Sequence, residues 1–362
     1  MIALLIAAGA GTALLTALFG LPVRRLARAW GYVDRPDGAR KLHGAPMPYG
    51  GGLAMIAAFL AVCGGLLVVA RFTPPGLLPA DTRVHLAGLG TRLNELYIIA
   101  GAAVLMGLLG FLDDIKPVRE ILKLALEIFF AAALWWVGIR ITGHIPSAAA
   151  SFVLTVLWIT GIANAFNFLD NMDGLCATVT LITALLFALF GLQTGQLFIA
   201  GYYFVVAGLA LGFLVFNFPP ATMFMGDCGS LFLGFLMAAG AVESTWYFPQ
   251  ASNRILPLVA PLLILAVPIF DTASVIWIRL RLGRPVLKGD RNHFSHRLQR
   301  LGLSPHQTLA TIALVAAGVG FSAFYLVRLS TAGAVLALVQ GLCVFLVIVI
   351  LEKAGGRKEA GD

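Results

Sequence analysis

Five short polar clusters interrupt an otherwise apolar chain, and each carries side chains that can bind phosphate or a divalent cation. In chain order they are Lys41-Leu42-His43 with glycines 50–52, Asp113-Asp114, the run 164–174 with Asn or Asp at every third position, Met225-Gly226-Asp227, and Asp290-Arg291-Asn292-His293 with His296. Carboxylate oxygens suit Mg²⁺, and cationic side chains bind phosphate oxygens. These residue types together indicate metal-assisted phosphoryl chemistry, if the fold brings the clusters together.

The elements that position these clusters are membrane helices. Of the 362 residues, 60% are hydrophobic and 12% are charged, whereas soluble domains carry about a quarter charged residues. We therefore predict an all-α, polytopic integral membrane helix bundle. Stretches of about 20 mostly apolar residues predict about eleven transmembrane helices, near 2–21, 51–71, 96–112, 120–138, 148–166, 175–193, 197–216, 229–247, 255–279, 306–327 and 331–351.

The distribution of charge sets the expected orientation. Most of the 25 Lys and Arg residues fall in loops on one side of the predicted bundle, including Arg24, Arg25 and Arg28 directly after the first span. The positive-inside rule then places the N-terminus outside and the C-terminus inside. The net charge of +8 fits loops that face anionic lipid, and no nucleic-acid partner is expected. The four cysteines show no pairing or ligand spacing, which predicts neither a disulfide nor zinc.

This orientation places all five polar clusters at the cytoplasmic face. Asp113, Asp114, Asp170, Asp173 and Asp227 would form one anionic cluster if their helix ends converge. Adjacent carboxylates repel each other, so a compensating cation is expected there.

The acidic motifs also have structural interpretations. Asp113 and Asp114 can be a solvated loop pair with Lys116 as the counterion. The Asn and Asp side chains of 164–173 share one face if the helix continues, or they cap its end. Asp227 follows Pro219-Pro220 and precedes a new span, so it can be an N-cap.

Structural interpretations also exist for the other motifs. Glycines 50–52 at the start of the second span can bind an anion through backbone amides or allow close packing. His293 and His296 can lie in a solvated loop, and Phe224 can face lipid instead of stacking on a base. Asp271, inside the ninth predicted span, is a functional candidate by its depth, but no role is assigned to it.

In their order along the chain, the five clusters resemble the polyprenyl-phosphate N-acetylhexosamine-1-phosphate transferases, which are glycosyltransferases of family 4. The most specific signatures are NAFNFLDNMDGL at 164–175 and FMGDCGS at 224–230. The resemblance extends from Arg40 to Leu298. It implies a single transmembrane transferase domain over 1–352, followed by a short polar cytoplasmic tail at 353–362.

The resemblance implies that polyprenyl phosphate attacks the β-phosphate of a UDP-sugar, which gives polyprenyl-diphosphate-sugar and UMP. The expected partners are a UDP-N-acetylhexosamine, undecaprenyl phosphate and the lipid bilayer of the bacterial cytoplasmic membrane, and a homodimer is left open. Asp227 is the expected ligand of Mg²⁺, with Mn²⁺ as an alternative ion. Asp113 and Asp114 are the expected catalytic residues at the lipid phosphate, and one of them is a base. The residues expected to bind the nucleotide-sugar are Lys41, Asn167, Asp170, Asp173, Phe224, Arg291, His293 and His296.

Two positions depart from the pattern of this family. Many relatives have His-x-His-His in the last loop, where this chain has Ser295 at the third position. A repeated Asp-Gly appears here as Asp170-Asn171 before Asp173-Gly174. The segment Pro46-Met47-Pro48 and the short last loop are closer to the N-acetylglucosamine branch than to the phospho-N-acetylmuramoyl-pentapeptide branch, which is kept as the alternative function.

The main alternative outside the enzymes is a multi-pass transporter, because transporters place ionisable residues near the bilayer midplane. Only Asp271, Glu127 and Glu243 suit such a position. An intramembrane aspartyl protease would need Gly-x-Gly-Asp, and residue 224 is Phe. A prenyl transferase of the Asp-rich type would need D-x-x-x-D clusters, which the chain lacks.

Overall fold

The computed structural model describes residues 1–34, 46–73, 80–142, 145, 147–244, 246, 259–285, 292–326 and 331–356. This part of the chain is almost entirely helical, with one antiparallel pair of two-residue strands, β1 (Val33–Asp34) and β2 (Met47–Pro48). The helices are α1 (Ile2–Ala29), α2 (Gly51–Phe72), α3 (Ala80–Ile115), α4 (Glu120–Trp136), α5 (Ala148–Leu169), α6 (Leu175–Gln193), α7 (Leu197–Asn217), α8 (Gly226–Glu243), α9 (Ala260–Ile264), α10 (Ala266–Arg281), α11 (Phe294–Arg300), α12 (Pro305–Phe321), α13 (Ala323–Leu326) and α14 (Thr331–Gly356).

A polytopic, all-α membrane architecture is confirmed. Within the described residues, nine helical segments are long and apolar enough to cross a membrane. Every predicted span has a helix at its position, but two fall short of that criterion. Helix α4 has 17 residues, and the ninth predicted span is divided at Leu265 into α9 and α10. Helix α14 continues to Gly356, so it includes the first residues of the predicted tail.

Helix α8 is at the centre of the bundle. In its apolar stretch 83% of the residues are buried, whereas the share is 17% in α1, which faces outward. Small residues let its neighbours approach the first turn of α8. A Cβ at Gly110 of α3 would lie 2.2 Å from the carbonyl oxygen of Asp227, and one at Gly52 of α2 would lie 2.4 Å from the amide nitrogen of Gly229. The ends of α2 and α3 are therefore held directly against the start of α8.

The segment before α2 is joined to the segment before α8 by main-chain hydrogen bonds. The amide of Phe224 donates to the carbonyl of Pro48 at 2.9 Å, and the amides of Gly51 and Gly52 donate to the carbonyls of Phe224 and Met225, both at 3.1 Å. The amides of Gly51 and Gly52 are thus bonded to the protein itself. Of the two interpretations of this glycine triplet, close packing is the one that the structure supports.

Helix α5 ends earlier than the three-residue pattern predicts. It stops at Leu169, Asp170 is its C-cap, and Asp173 lies in the following turn. The turn is bonded to the segment after α7: Asn217 accepts from the Gly174 amide, and Asp173 accepts from the Ala221 amide, both at 2.9 Å. The prediction of four polar side chains along one helical face is therefore wrong beyond Leu169, because these contacts replace further helical turns.

The packing of α1 against α7 gives a first test. Gly212→Ala would place a methyl group 2.2 Å from the carbonyl oxygen of Ala13, so the two helices must separate. Such overpacking costs about 1–3 kcal/mol. We expect a lower melting temperature for the detergent-solubilised protein. The matched control is Gly11→Ala in α1, where nothing lies within 4 Å of the added methyl. Equal melting temperatures for the two variants would contradict this packing.

Candidate active site

Four acids line one cavity at the end of the bundle where α3 stops and α8 begins, three of them from these two helices and one from β1. The cavity has a volume of about 450 Å³. It is lined by Val33, Asp34, Tyr49, Asp113, Asp114, Pro117 and Asp227. The predicted convergence of the second and fourth polar clusters is therefore observed, although they are more than a hundred residues apart along the chain.

Asp114 caps helix α8 from a different helix. Its carboxylate accepts from the Asp227 amide at 2.9 Å, the Cys228 amide at 3.2 Å and the Tyr32 hydroxyl at 2.8 Å. Residue 226 is a glycine with φ of +71°, and a Cβ there would lie 2.5 Å from an oxygen of Asp114. The N-cap interpretation of Asp227 is thus wrong, because Asp114 binds these amides and the Asp227 side chain turns elsewhere.

Asp113 and Asp227 share one cation, the ammonium group of Lys123. Lys123 Nζ lies 2.8 Å from Asp113 Oδ2 and also donates to Asp227 Oδ2. The second oxygen of Asp113 accepts from the Val118 amide at 2.6 Å. The side chains of Lys123 and Asp113 are 13% and 17% exposed, so this is a largely desolvated ion pair. The counterion of the acidic pair is Lys123, and Lys116, named as the counterion in the solvated-loop interpretation, is exposed.

The α5–α6 turn brings further polar groups to the same end of the bundle. Asn167 donates to the Ser230 hydroxyl of α8 at 2.9 Å. Burial, together with the negative charges of Asp227 and Asp114, raises the pKa of the Asp170 carboxyl to about 8. The bond from Asn167 to α8 places the third polar cluster beside the helix that carries Asp227.

Aromatic residues form one wall of this region. The Tyr32 and Tyr49 rings lie 5.4 Å apart, and the Tyr49 and Phe224 rings lie 6.3 Å apart. The Tyr49 hydroxyl donates to Asp34 at 2.9 Å. Burial, and then the nearby carboxylates, raise the pKa of both tyrosines, so they remain hydrogen-bond donors at neutral pH. Phe224 is half-buried beside this wall, and its ring contacts Tyr49 as well as its surroundings outside the protein.

The last polar cluster is fixed through Asp271. Asp271 is 1% exposed, and its carboxylate lies 2.8 Å from His293 Nδ1 and accepts from the Phe294 amide at 2.5 Å. The His293 ring packs edge-on against Phe168, next to the α5–α6 turn, with ring centroids 5.8 Å apart. The ring centroids of His296 and His293 lie 6.4 Å apart. Asp271 thus orients the buried His293, a role that its position inside a span did not reveal.

Two of the predicted site residues, Lys41 and Arg291, lie outside the described residues, as do His43 and Asp290. The acids named for a transporter all have partners. Asn164 donates to Glu127, Arg92 donates to Glu243 at 2.5 Å, and His293 pairs with Asp271.

The surface beside the acids is apolar. Leu112 and Ile115, on either side of the acidic pair, are 57% and 59% exposed, and Ile121 at the start of α4 is 78% exposed. In a membrane protein such side chains face lipid. The acids therefore lie at the edge of the hydrocarbon region.

Comparison with known proteins identifies the family of this chain. Residues 96–245 match the profile of glycosyl transferase family 4. A probable undecaprenyl-phosphate N-acetylglucosaminyl 1-phosphate transferase of Bacillus subtilis is 33% identical over 311 residues, which cover 83% of this chain and 79% of that protein. A decaprenyl-phosphate N-acetylglucosaminephosphotransferase of Mycobacterium tuberculosis is 33% identical over 342 residues, covering 87% and 80%.

The chain belongs to glycosyl transferase family 4. The resemblance inferred from its motifs is thereby confirmed. A phospho-N-acetylmuramoyl-pentapeptide-transferase of Clostridium beijerinckii is 37% identical, but over 148 residues that cover only 35% of this chain. The family 4 match runs from α3 to α8 and includes all five acids of the predicted cluster. Asp271, His293 and the strand pair lie outside it.

Several residues of this family 4 site were not predicted from the sequence. Lys123 counted only as one of many cytoplasmic cations, although it lies on the first turns of α4, two turns after the acidic pair. Asp34 and Tyr49 line the cavity, and Tyr32 donates to Asp114. Nothing in the spacing of these three residues indicates that they belong to the site. Ser230 is the last residue of the FMGDCGS signature. It lies four residues after Gly226 on the same helix, and this spacing could have indicated that Ser230 faces the same side of α8 as Gly226.

The cap formed by Asp114 gives a second test. Asp114→Ala leaves two amides of α8 unpaired, and each buried unpaired donor costs about 1–3 kcal/mol. Asp113→Ala leaves only one amide, that of Val118, unpaired, and Lys123 keeps Asp227 as a partner. We therefore expect a larger fall in melting temperature for Asp114→Ala than for Asp113→Ala in the detergent-solubilised protein. A larger fall for Asp113→Ala would show that Asp114 does not carry the α3–α8 contact.

Proposed function

We propose that the protein transfers N-acetylglucosamine 1-phosphate, or a related N-acetylhexosamine 1-phosphate, from a UDP-sugar to undecaprenyl phosphate. An oxygen of the lipid phosphate forms a bond to the β-phosphorus of the UDP-sugar. The bond from that phosphorus to the bridging oxygen breaks, so that UMP leaves and polyprenyl-diphosphate-sugar remains. The observation that carries this proposal is the convergence of Asp113, Asp114 and Asp227 on one cavity. Relatives that match most of the chain are named as transferases of this kind.

On the acceptor side, the two adjacent acids have different surroundings. Asp114 already accepts three hydrogen bonds that hold α8 and Tyr32. Asp113 borders the cavity and pairs with Lys123. We assign Asp113 to the lipid phosphate, as the base that takes its proton, and Asp114 to positioning. Lys123 neutralises Asp113 and Asp227, which reduces their repulsion of an incoming phosphate.

On the donor side, we assign nucleotide-sugar binding to the α5–α6 turn and the segments beside it. Asn167, Asp170 and Asp173 offer amide and carboxylate groups to the ribose and base, and Phe224 offers a ring face. His293 and His296 approach from α11 toward the diphosphate or sugar. Lys41 and Arg291 remain predicted cations for the same diphosphate.

The donor set suits a hard divalent cation. In the part of the chain that the structure describes, no three Asp, Glu, His or Cys residues form a ready-made metal cage. Mg²⁺ commonly uses one or two carboxylates and completes its shell with water and substrate phosphates. Asp227 would hold Mg²⁺, or Mn²⁺ in its place. The ion would supply charge stabilisation for the phosphate oxygens.

We also propose that this site faces the cytoplasm at the bacterial inner membrane, where soluble UDP-sugars are available. The acids lie at the end of the bundle that carries the basic loops after α1 and α3, which supports this orientation. A homodimer remains a prediction from the family resemblance.

The proposed function predicts a defined product. Purified protein supplied with undecaprenyl phosphate, Mg²⁺ and UDP-N-acetylglucosamine is expected to release UMP, and a chelator is expected to stop the release. Asp227→Asn should lower kcat at least about a hundredfold, because lost metal charge stabilisation is worth several kcal/mol and about 1.4 kcal/mol corresponds to a tenfold change in rate. UMP is measured by chromatography across a panel of UDP-sugars.

The matched control is Glu95→Gln. Glu95 is a carboxylate that pairs with Arg92 near the opposite end of the bundle, and its replacement should leave UMP release unchanged. UMP release that is unaffected by Asp227→Asn would contradict the proposed site. Release only with UDP-N-acetylmuramoyl-pentapeptide would favour the peptidoglycan branch of the family.

The proposed orientation predicts the reactivity of introduced cysteines. Cys63, Cys176 and Cys228 are buried, so Cys343→Ser gives an unreactive background. In that background, Lys116→Cys and Arg140→Cys place exposed thiols at opposite ends of the bundle. In intact cells a membrane-impermeant maleimide should label position 140, and position 116 only after permeabilisation. The reverse pattern would place the acids outside the cell.

A further inference from the structure

A partly buried side-chain hydrogen bond connects the last polar cluster to the α5–α6 turn. The Ser295 hydroxyl, in the first turn of α11, donates to the side-chain oxygen of Asn171. Ser295 is 1% exposed, and Asn171 is half-buried, so solvent has limited access to this bond. The contact joins parts of the chain that are 124 residues apart.

Both partners of this bond are themselves held in place. The Asn171 amide donates to the Phe168 carbonyl at 2.6 Å, which fixes its side chain at the end of α5. Ser295 follows Phe294, whose amide donates to Asp271. Next to the bond, Gln299 of α11 lies 3.1 Å from the Met172 sulfur. The bond therefore connects two segments that have little freedom to move separately.

The neighbours of the two residues are the groups assigned to the donor. Asn171 lies between Asp170 and Asp173, and Ser295 lies between His293 and His296. A change in the distance between Asn171 and Ser295 would move the two halves of the donor-binding region relative to each other.

The two bonded residues are also the two departures from the family pattern. A glycine at 171 would have no side-chain acceptor. A histidine at 295 would fill the buried space that the small serine occupies. The bond thus depends on the two residue types that this chain has at these positions.

We propose that Ser295 and Asn171 form a polar latch that positions the histidine segment against the α5–α6 turn for binding of the nucleotide-sugar. This inference rests on the proposed function and adds two positioning residues to the donor side of that site. Neither residue is placed in contact with the reacting phosphorus. Loss of the latch should therefore weaken donor binding more than it slows the chemical step.

The test is a double-mutant cycle with Ser295→Ala, Asn171→Ala and the double variant. The KM for UDP-N-acetylglucosamine and kcat are measured by UMP release. The dissociation constant is measured by calorimetry with Mg²⁺ and without lipid acceptor. Asn171→Ala also removes the bond to Phe168, but this loss is the same in both arms of the cycle and cancels.

We expect Ser295→Ala to raise KM and the dissociation constant about threefold to tenfold, which corresponds to the loss of one hydrogen bond, with kcat changed less than about twofold. The double variant should resemble Asn171→Ala alone. Ser244→Ala, which removes a buried hydroxyl that donates to the Gly240 carbonyl at the other end of α8, should leave both constants unchanged.

Effects of the two single substitutions that multiply in the double variant would overturn the latch. So would a fall in kcat at unchanged KM. Either result, obtained with a wild-type protein that releases UMP, leaves the proposed function intact. A wild-type protein that releases no UMP with any UDP-sugar would instead overturn the proposed function.

Discussion

The start of α8 must have its amides satisfied at the edge of the membrane, and the rest of the site follows from how this is done. An unpaired backbone amide is costly where water is scarce. The N-cap residue of α8, Met225, makes no side-chain hydrogen bond to these amides. Asp114 supplies the acceptor from α3, and a carboxylate at a helix N-terminus is also favoured by the helix dipole. One interaction therefore stabilises α8, joins it to α3 and places Asp113 beside Asp227.

Close backbone approach makes this arrangement possible. Gly226 has a positive φ and contacts the Asp114 carboxylate without a Cβ in between. Gly110 lets α3 touch the carbonyl of Asp227. A side chain at either position would separate the helices and remove the carboxylate from the amides. The small residues of these motifs are thus as necessary to the acidic site as the acids themselves.

Excess negative charge is then balanced by different means in different parts of the site. Asp113 and Asp227 share the ammonium of Lys123, and Asp114 accepts neutral donors. For Asp170, burial and the negative charges of Asp227 and Asp114 raise the pKa of the carboxyl. The acids of this site therefore differ in how their charge is compensated: Asp113 and Asp227 by a cation, Asp114 by neutral donors, and Asp170 by a shift toward its protonated form.

Periodicity and residue type predicted much of this molecule. Long apolar runs gave the helix positions, and the signature around Asp227 gave the family, because both depend on local sequence. The cation was not predictable, since Lys116 and Lys123 are equally plausible by spacing and only the angle between α3 and α4 selects Lys123. The end of α5 was misjudged because Asn217 and Ala221, distant in sequence, stop it at Leu169. The partner of Asp271 could not be predicted for the same reason, because His293 belongs to another segment of the chain.

The apolar flank beside the acids bears on how lipid carriers of different chain length bind. It is formed by the exposed Leu112, Ile115 and Ile121. In the proposed function, a carrier that approached along this apolar flank would present its phosphate to Asp113 while its tail stayed among the acyl chains. Transfer of each methylene into water would cost about 0.8 kcal/mol, and this route avoids that transfer. The number of isoprene units then contributes little to affinity, and carriers of different length compete through their abundance in the bilayer.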